Sequence, residues 1–296
     1  MERTEAFDDF IDPAYQKPEI WRLLQGLITG AAVFGVLAMA LVGGANALIG
    51  GIPVERLMIE LRTAATPAAM FLILVSFIAL LYAAFAAAAW HHRDPGTLFG
   101  DRIALVFDFL RMALISGVFL VGVGAAMVIF LPNVATRQYD ILPWLMMMTW
   151  AIPMLFIQIT AEEVAFRGYL LQQLAARFSS PIIWAVIPSV LFGLMHFDPA
   201  SDTSIAVLTV IGATMFGLLA TDLTRITGNL GAAMGYHFVN NFLGLMIVGI
   251  PGRLSGLALY LSDFGMEDVE ALRVMVALDI SVMIVVWIVA RRLLQR

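Results

Sequence analysis

Long apolar runs separated by short polar connections make up most of the chain. A helix that crosses a bilayer needs about 20 mostly apolar residues. Eight runs approach that requirement: about 24–49, 67–90, 112–132, 143–161 continuing to 178, 181–197, 204–224, 229–250 and 271–290. The pattern predicts an all-α fold, a polytopic membrane bundle of about eight transmembrane helices. Thr97–Arg111 has apolar residues at helical spacing interrupted by Asp101, Arg102, Asp108 and Arg111. It reads as an interfacial helix ahead of the third span. Residues 251–270 read as an amphipathic surface loop, and Pro143 and Pro153 predict a break or kink in the fourth span. The chain divides into an acidic cytoplasmic tail (1–23), N-terminal transmembrane helices (24–142), a polar-containing core (143–250), and a surface loop with the last span (251–296).

Composition agrees with the pattern. Hydrophobic residues are 61% of the 296 and charged residues 13%, against about 25% charged in soluble domains. Mean hydropathy is +0.91. No cysteine is present, which excludes disulfides, thiolate metal sites and a thiol nucleophile. Glu2, Glu5, Asp8, Asp9 and Asp12 make the start acidic. That argues against nucleic acid as a partner, and an acidic segment before the first apolar run does not resemble a cleavable signal peptide. Basic residues set the orientation. With the N-terminus inside, Arg56, Arg62, Arg137, Arg253 and Arg273 fall outside and the other twelve of the 17 Lys and Arg fall inside or at depth. Both termini are therefore expected in the cytoplasm of a multi-pass protein, in a bacterial inner membrane.

Against this background the stretch from Ile159 to Gly168 stands out, because it carries Glu162, Glu163 and Arg167. Ionisable residues at membrane depth face a protein interior or a wet cavity and mark function by default. Glu163 and Arg167 are four apart with the acid first, the favourable order for an ion pair. Glu162 is rotated about 100° from its neighbour on a helix, so one acid is free for a cavity while the other is paired. Glu162 and His196 each lie 15 residues from the 177–181 connection, about 22 Å along their helices. A helical hairpin puts them at matching height. His237 lies nine residues past Gly228, about 13 Å deep, and shares a face with Asn241. Phe192 stands one turn before His196. Asn240 is off that face and reads as a helix–helix hydrogen bond. His91 and His92 read as an interfacial loop, and Asp222, Asn229 and Asp279 as packing or interfacial residues. Gly193, Gly212, Gly217, Gly231, Gly235 and Gly244 read as sites of close helix approach.

A carboxylate shielded from bulk water is a better base near neutral pH. With a histidine it can take a proton from water, while a second histidine and an asparagine donate to the oxyanion of a tetrahedral intermediate. That set suits amide hydrolysis. The same residue types also allow Glu162, His196 and His237 to bind Zn²⁺ with an open position for water; no HExxH motif is present. The cofactor is thus none or zinc. A transporter would call for related halves with matched broken helices, but the charges concentrate in one half.

The three motifs Glu162-Glu163-Val-Ala-Phe-Arg167, Phe192-Gly-Leu-Met-His196 and His237-Phe-Val-Asn-Asn241 resemble, in this order, those of the CPBP family, the intramembrane CAAX-processing and bacteriocin-processing proteases also called Abi. Phe216-Gly217 through Thr227-Gly228-Asn229-Leu230 is similar to the family's linking segment. The resemblance covers about residues 143–245. It implies an intramembrane endopeptidase with a buried active site and makes 143–250 the catalytic core. Glu162 and His196 would activate water, His237 and Asn241 would stabilise the oxyanion, and Glu163 with Arg167 would be the supporting pair. Phe192 would shape the pocket. The family has been described both as metalloproteases and as glutamate-dependent proteases. The metal-free mechanism is favoured here, because three ligands plus a separate base leave no second carboxylate if Glu163 is tied to Arg167. The implied partners are membrane lipid and a peptide or lipidated protein, the family's best-known substrates being prenylated proteins ending in a CAAX box. A non-catalytic immunity or scaffold protein on the same fold is the alternative.

Overall fold

The computed structural model describes residues 1–130 and 135–295; the end of the predicted third span (131–132) and Arg296 lie outside the described residues. Helix α1 (Glu5–Ile11) is followed by α2 (Ile20–Leu48), α3 (Val54–Thr63), α4 (Pro67–Ala89) and α5 (Arg102–Phe130). Strand β1 (Ala135–Arg137) leads into α6 (Ile141–Glu163), which passes through a π-helical stretch, Val164–Leu171, into α7 (Gln172–Arg177). A second π-helical stretch, Ile182–Val186, opens α8 (Ile187–Leu194), and α9 (Thr203–Thr227) and α10 (Gly231–Phe242) follow. After a third, Leu243–Ile247, come β2 (Val248–Gly249), β3 (Tyr260–Ser262) and α11 (Val269–Leu294).

Six helices among the described residues are long and apolar enough to cross a membrane: α2, α4, α5, the continuous Ile141–Arg177, α9 and α11. The protein is an integral, multi-pass, all-α membrane bundle. Two of the eight predicted spans are shorter. Ile182–Leu194 is a short apolar helix, because the chain turns at Met195 while the sequence stays apolar to Phe197. The run 229–250 is divided between α10, a π-helical turn and a strand. No separate interfacial helix precedes the third span, since α5 starts at Arg102 and continues into it. Of the polar residues there, Asp101, Arg102 and Arg111 are exposed, whereas Asp108 is 1% exposed and accepts from Asn229 Nδ2 at 2.9 Å.

Local signals set the boundaries. Thr66 caps α4 by accepting from Ala69 N, with Pro67 in the first turn, and Asp202 and Asp268 cap α9 and α11 in the same way. Such caps satisfy N–H groups that have no partner within the helix. Gly228 ends α9 at φ 69°, a left-handed conformation that glycine adopts without a Cβ clash. The predicted break at Pro153 does not occur. Helix α6 runs through it, and the irregular backbone begins only at Val164, directly after the two glutamates.

The segment over 251–270 is not only a loop. β3 pairs with β1 antiparallel and with β2 parallel, and Leu257 and Ala258 are fully buried. The N-terminal tail is also folded onto the bundle. Phe7, Phe10 and Ile11 are buried, with Phe7 4.9 Å from Trp184. Arg3 donates to the carbonyls of Ala175 and Phe178 at the end of α7, and Arg225 of α9 donates to the carbonyl of Glu2.

Candidate active site

Three contacts fix the height and rotation of α10. Asn229 accepts from Gly231 N through Oδ1 while it binds Asp108 of α5. Leu230 N donates to the Phe99 carbonyl at 3.1 Å. At Gly235 the helix presses so closely on α5 that a Cβ would stand 2.4 Å from the Phe109 carbonyl. This docking sends His237 toward α6, where it meets both glutamates. Nδ1 of His237 lies 2.7 Å from Glu163 Oε1, and Nε2 lies 3.3 Å from Glu162 Oε2.

Glu163 Oε1 also accepts from Arg167 at 3.0 Å, and Glu163, Arg167 and His237 are 0%, 2% and 4% exposed. Losing one partner of such a buried pair costs about 3–5 kcal/mol, because the other charge is left uncompensated. Two aromatic rings complete the surroundings of the guanidinium, whose carbon stands 4.7 Å from the centre of Phe192 and 5.5 Å from that of Phe216. A cation facing desolvated rings gains about 2 kcal/mol. Phe216 also packs edge-on to His237 at 4.7 Å. It reaches that position because α8 and α9 approach closely: a Cβ on Gly217 would lie 2.9 Å from that of Ser189, and one on Gly193 2.7 Å from the Val210 carbonyl.

A polar chain runs beside this cluster. Gln158, one helical turn before Glu162 and 6% exposed, donates Nε2–H to Glu162 Oε2 at 2.7 Å. Its Oε1 accepts from Asn241 Nδ2 at 3.1 Å. An ionised carboxylate only accepts, so Gln158 turns its amino end to Glu162 and its carbonyl end to Asn241.

All seven side chains expected at the site lie on one connected patch between α6, α8 and α10, but their pairings differ from expectation. Glu162 is not free: Gln158 and His237 both hold its Oε2. His237 addresses the two acids, whereas Asn241 addresses Gln158, so the pair converges on Glu162 with Asn241 at one remove. His196 sits just past the end of α8, with Nδ1 on the Phe192 carbonyl at 2.8 Å, and lies within electrostatic range of Glu162. Asn240 donates to its neighbour Asn241 at 3.4 Å, and among the described residues its side chain makes no hydrogen bond to another helix. No three His, Asp or Glu side chains among the described residues are arranged to hold a metal ion.

The expectation missed Gln158 and gave Phe216 no role. A polar residue four before Glu162 in an apolar helix was the available signal for Gln158; nothing local marks Phe216. Of the other polar residues, Asp222 ties α9 to α11 through Trp287 and Arg291 and also binds Arg225. His91 lies in the turn after α4, as the loop reading has it, but is wholly buried there, with Nδ1 on the Lys17 carbonyl and Nε2 on Tyr169.

Residues 143–243 match the family described as Rce1-like, type II CAAX prenyl endopeptidase. The uncharacterized protein YyaK of Bacillus subtilis (strain 168) is 30% identical over 112 residues, 38% of this chain and 38% of that protein. The similarity thus spans well under half of that relative's length. The matched stretch, about a third of the chain, carries every side chain of the cluster just described, and it is over these residues that the chain is similar to the Rce1-like type II CAAX prenyl endopeptidases.

Proposed function

We propose that the protein is an intramembrane endopeptidase that hydrolyses a peptide bond near a membrane-embedded or lipidated segment, in the manner of a CAAX prenyl protease. The observation that carries this reading is His237, held between Glu163 Oε1 and Glu162 Oε2 beside Arg167. Two carboxylates and one guanidinium leave a buried charge of minus one. One further proton makes the cluster neutral, and on His237 it gives an imidazolium that donates from both nitrogens. Glu163 accepts from Nδ1–H and fixes the ring, as the orienting carboxylate of a histidine does in many hydrolases.

Glu162, with His196 nearby, takes a proton from water, and the hydroxide attacks the scissile carbonyl carbon. The oxyanion accepts from His237 Nε2–H and from the second N–H of Asn241 Nδ2. The carbon–nitrogen bond then breaks, and Glu162 returns its proton to the leaving amine. No step passes through a metal. Met1 and Gln295 line one cavity, which supports both termini on one side, and the basic-residue bias makes that side cytoplasmic.

Purified protein in liposomes is to be assayed with a quenched fluorescent peptide ending in a farnesylated cysteine and three further residues. Glu162→Gln should cut the rate by about 10²- to 10⁴-fold, the usual worth of a general base, with the fold retained. Cleavage by this variant at the wild-type rate would refute the proposal. Metal analysis of active protein checks the mechanism separately: stoichiometric zinc lost together with activity would overturn the metal-free step.

A further inference from the structure

We propose that Gln158 is a positioning residue that couples the base Glu162 to the oxyanion donor Asn241. The inference rests on the protease reading of those two residues.

Gln158 spends both ends of its amide inside the site. A buried amide without partners costs a few kcal/mol, and this one has a partner at each end, at 2.7 and 3.1 Å. Orientation passes along the chain. Ionised Glu162 accepts, so Gln158 must present its NH₂. Its carbonyl then faces Asn241, which must in turn present its own NH₂. One N–H of Asn241 is held by Gln158 and the other is directed away from it, available to an oxyanion. At the other end, Gln158 and His237 both occupy Oε2 of Glu162. Oε1 has no hydrogen bond among the described residues, and it is the oxygen left to meet water. Without Gln158 the Asn241 amide can rotate, and either oxygen of Glu162 can turn to His237.

The test uses full-length protein in liposomes with the farnesylated peptide, with Glu162→Gln as the inactive reference. Gln158→Leu removes both bonds at similar size. It should lower kcat about 10- to 100-fold, the worth of one charge-assisted hydrogen bond, with KM changed less than about twofold. Gln158→Met keeps the length of the unbranched side chain and can form neither bond, and it should lose a similar factor; this variant decides the matter if the leucine protein does not fold. On an Asn241→Ala background Gln158→Leu should cost a smaller factor than on wild type, since part of its effect passes through Asn241. Wild-type kcat in the folded leucine or methionine variant, or losses that simply multiply in the double variant, would overturn the coupling while leaving the protease reading intact. Equal rates for wild type and Glu162→Gln would instead remove the protease reading, and this inference with it.

Discussion

Arg167→Met tests the account of the buried charges most directly. Arg167 and Glu163 are 2% and 0% exposed and 3.0 Å apart, so little water screens the pair. Removing the cation leaves Glu163 with His237, at 2.7 Å, as its only side-chain hydrogen-bonding partner among the described residues. It also takes a guanidinium off the rings of Phe192 and Phe216. The expected loss is about 3–5 kcal/mol. Glu163→Gln alone should cost a similar amount, because Arg167 is then the unpaired charge. The double variant Glu163→Gln/Arg167→Met carries no uncompensated charge and should cost less than either single change, since a buried pair replaced as a unit is often near neutral. If the two sites were independent, their losses would add to about 6–10 kcal/mol. Unfolding in mixed micelles, titrated with a denaturing detergent, measures all four proteins. A double variant destabilised by the sum of the singles would refute the assignment of Glu163–Arg167 as a compensated pair. So would an Arg167→Met protein as stable as wild type.

Other outcomes follow from single positions. Gly235→Ala should destabilise by about 1–3 kcal/mol through overpacking, because its Cβ would lie 2.4 Å from the Phe109 carbonyl. Gly244→Ala, with nothing within 4 Å, should be close to neutral. Thermal midpoints of the two variants check both, and equal behaviour would count against the docking of α10 on α5. Burial holds the His91 imidazole below its ordinary value, helped by Arg93 and Arg22 and opposed by the Lys17 carbonyl. The unfolded chain therefore takes up the proton first as pH falls. The contribution of neutral His91 is complete above about pH 6.5 and is lost below it, toward the folded value. His91→Gln should flatten the fall in thermal midpoint on the acid side; an unchanged slope would exclude His91 as its source.

The parts of the site that were legible in the sequence are those governed by one helix. Glu163 and Arg167 are four apart on a regular turn, and the structure pairs them. That Glu162 and His196 fall within electrostatic range of each other was also legible, because two chain lengths from a common turn are a property of sequence alone. The six long spans were legible for the same reason, since length and apolarity are local. The apolar runs that became α8 and α10 were not distinguishable from spans. What shortens them is a turn at Met195 and a parallel strand pairing of Val248 with Tyr260, across the loop that follows. The division of labour between the two acids was the point where single-helix geometry misled. A 100° rotation does separate Glu162 from Glu163 on the surface of α6, but it does not decide what a residue on another helix can reach. An imidazole has nitrogens on two sides of one ring, so His237, arriving from α10, contacts both acids at once. The two glutamates are thus neither equivalent nor independent. Glu163 holds the ring that Glu162 faces, and a change at either acid is transmitted to the other through His237.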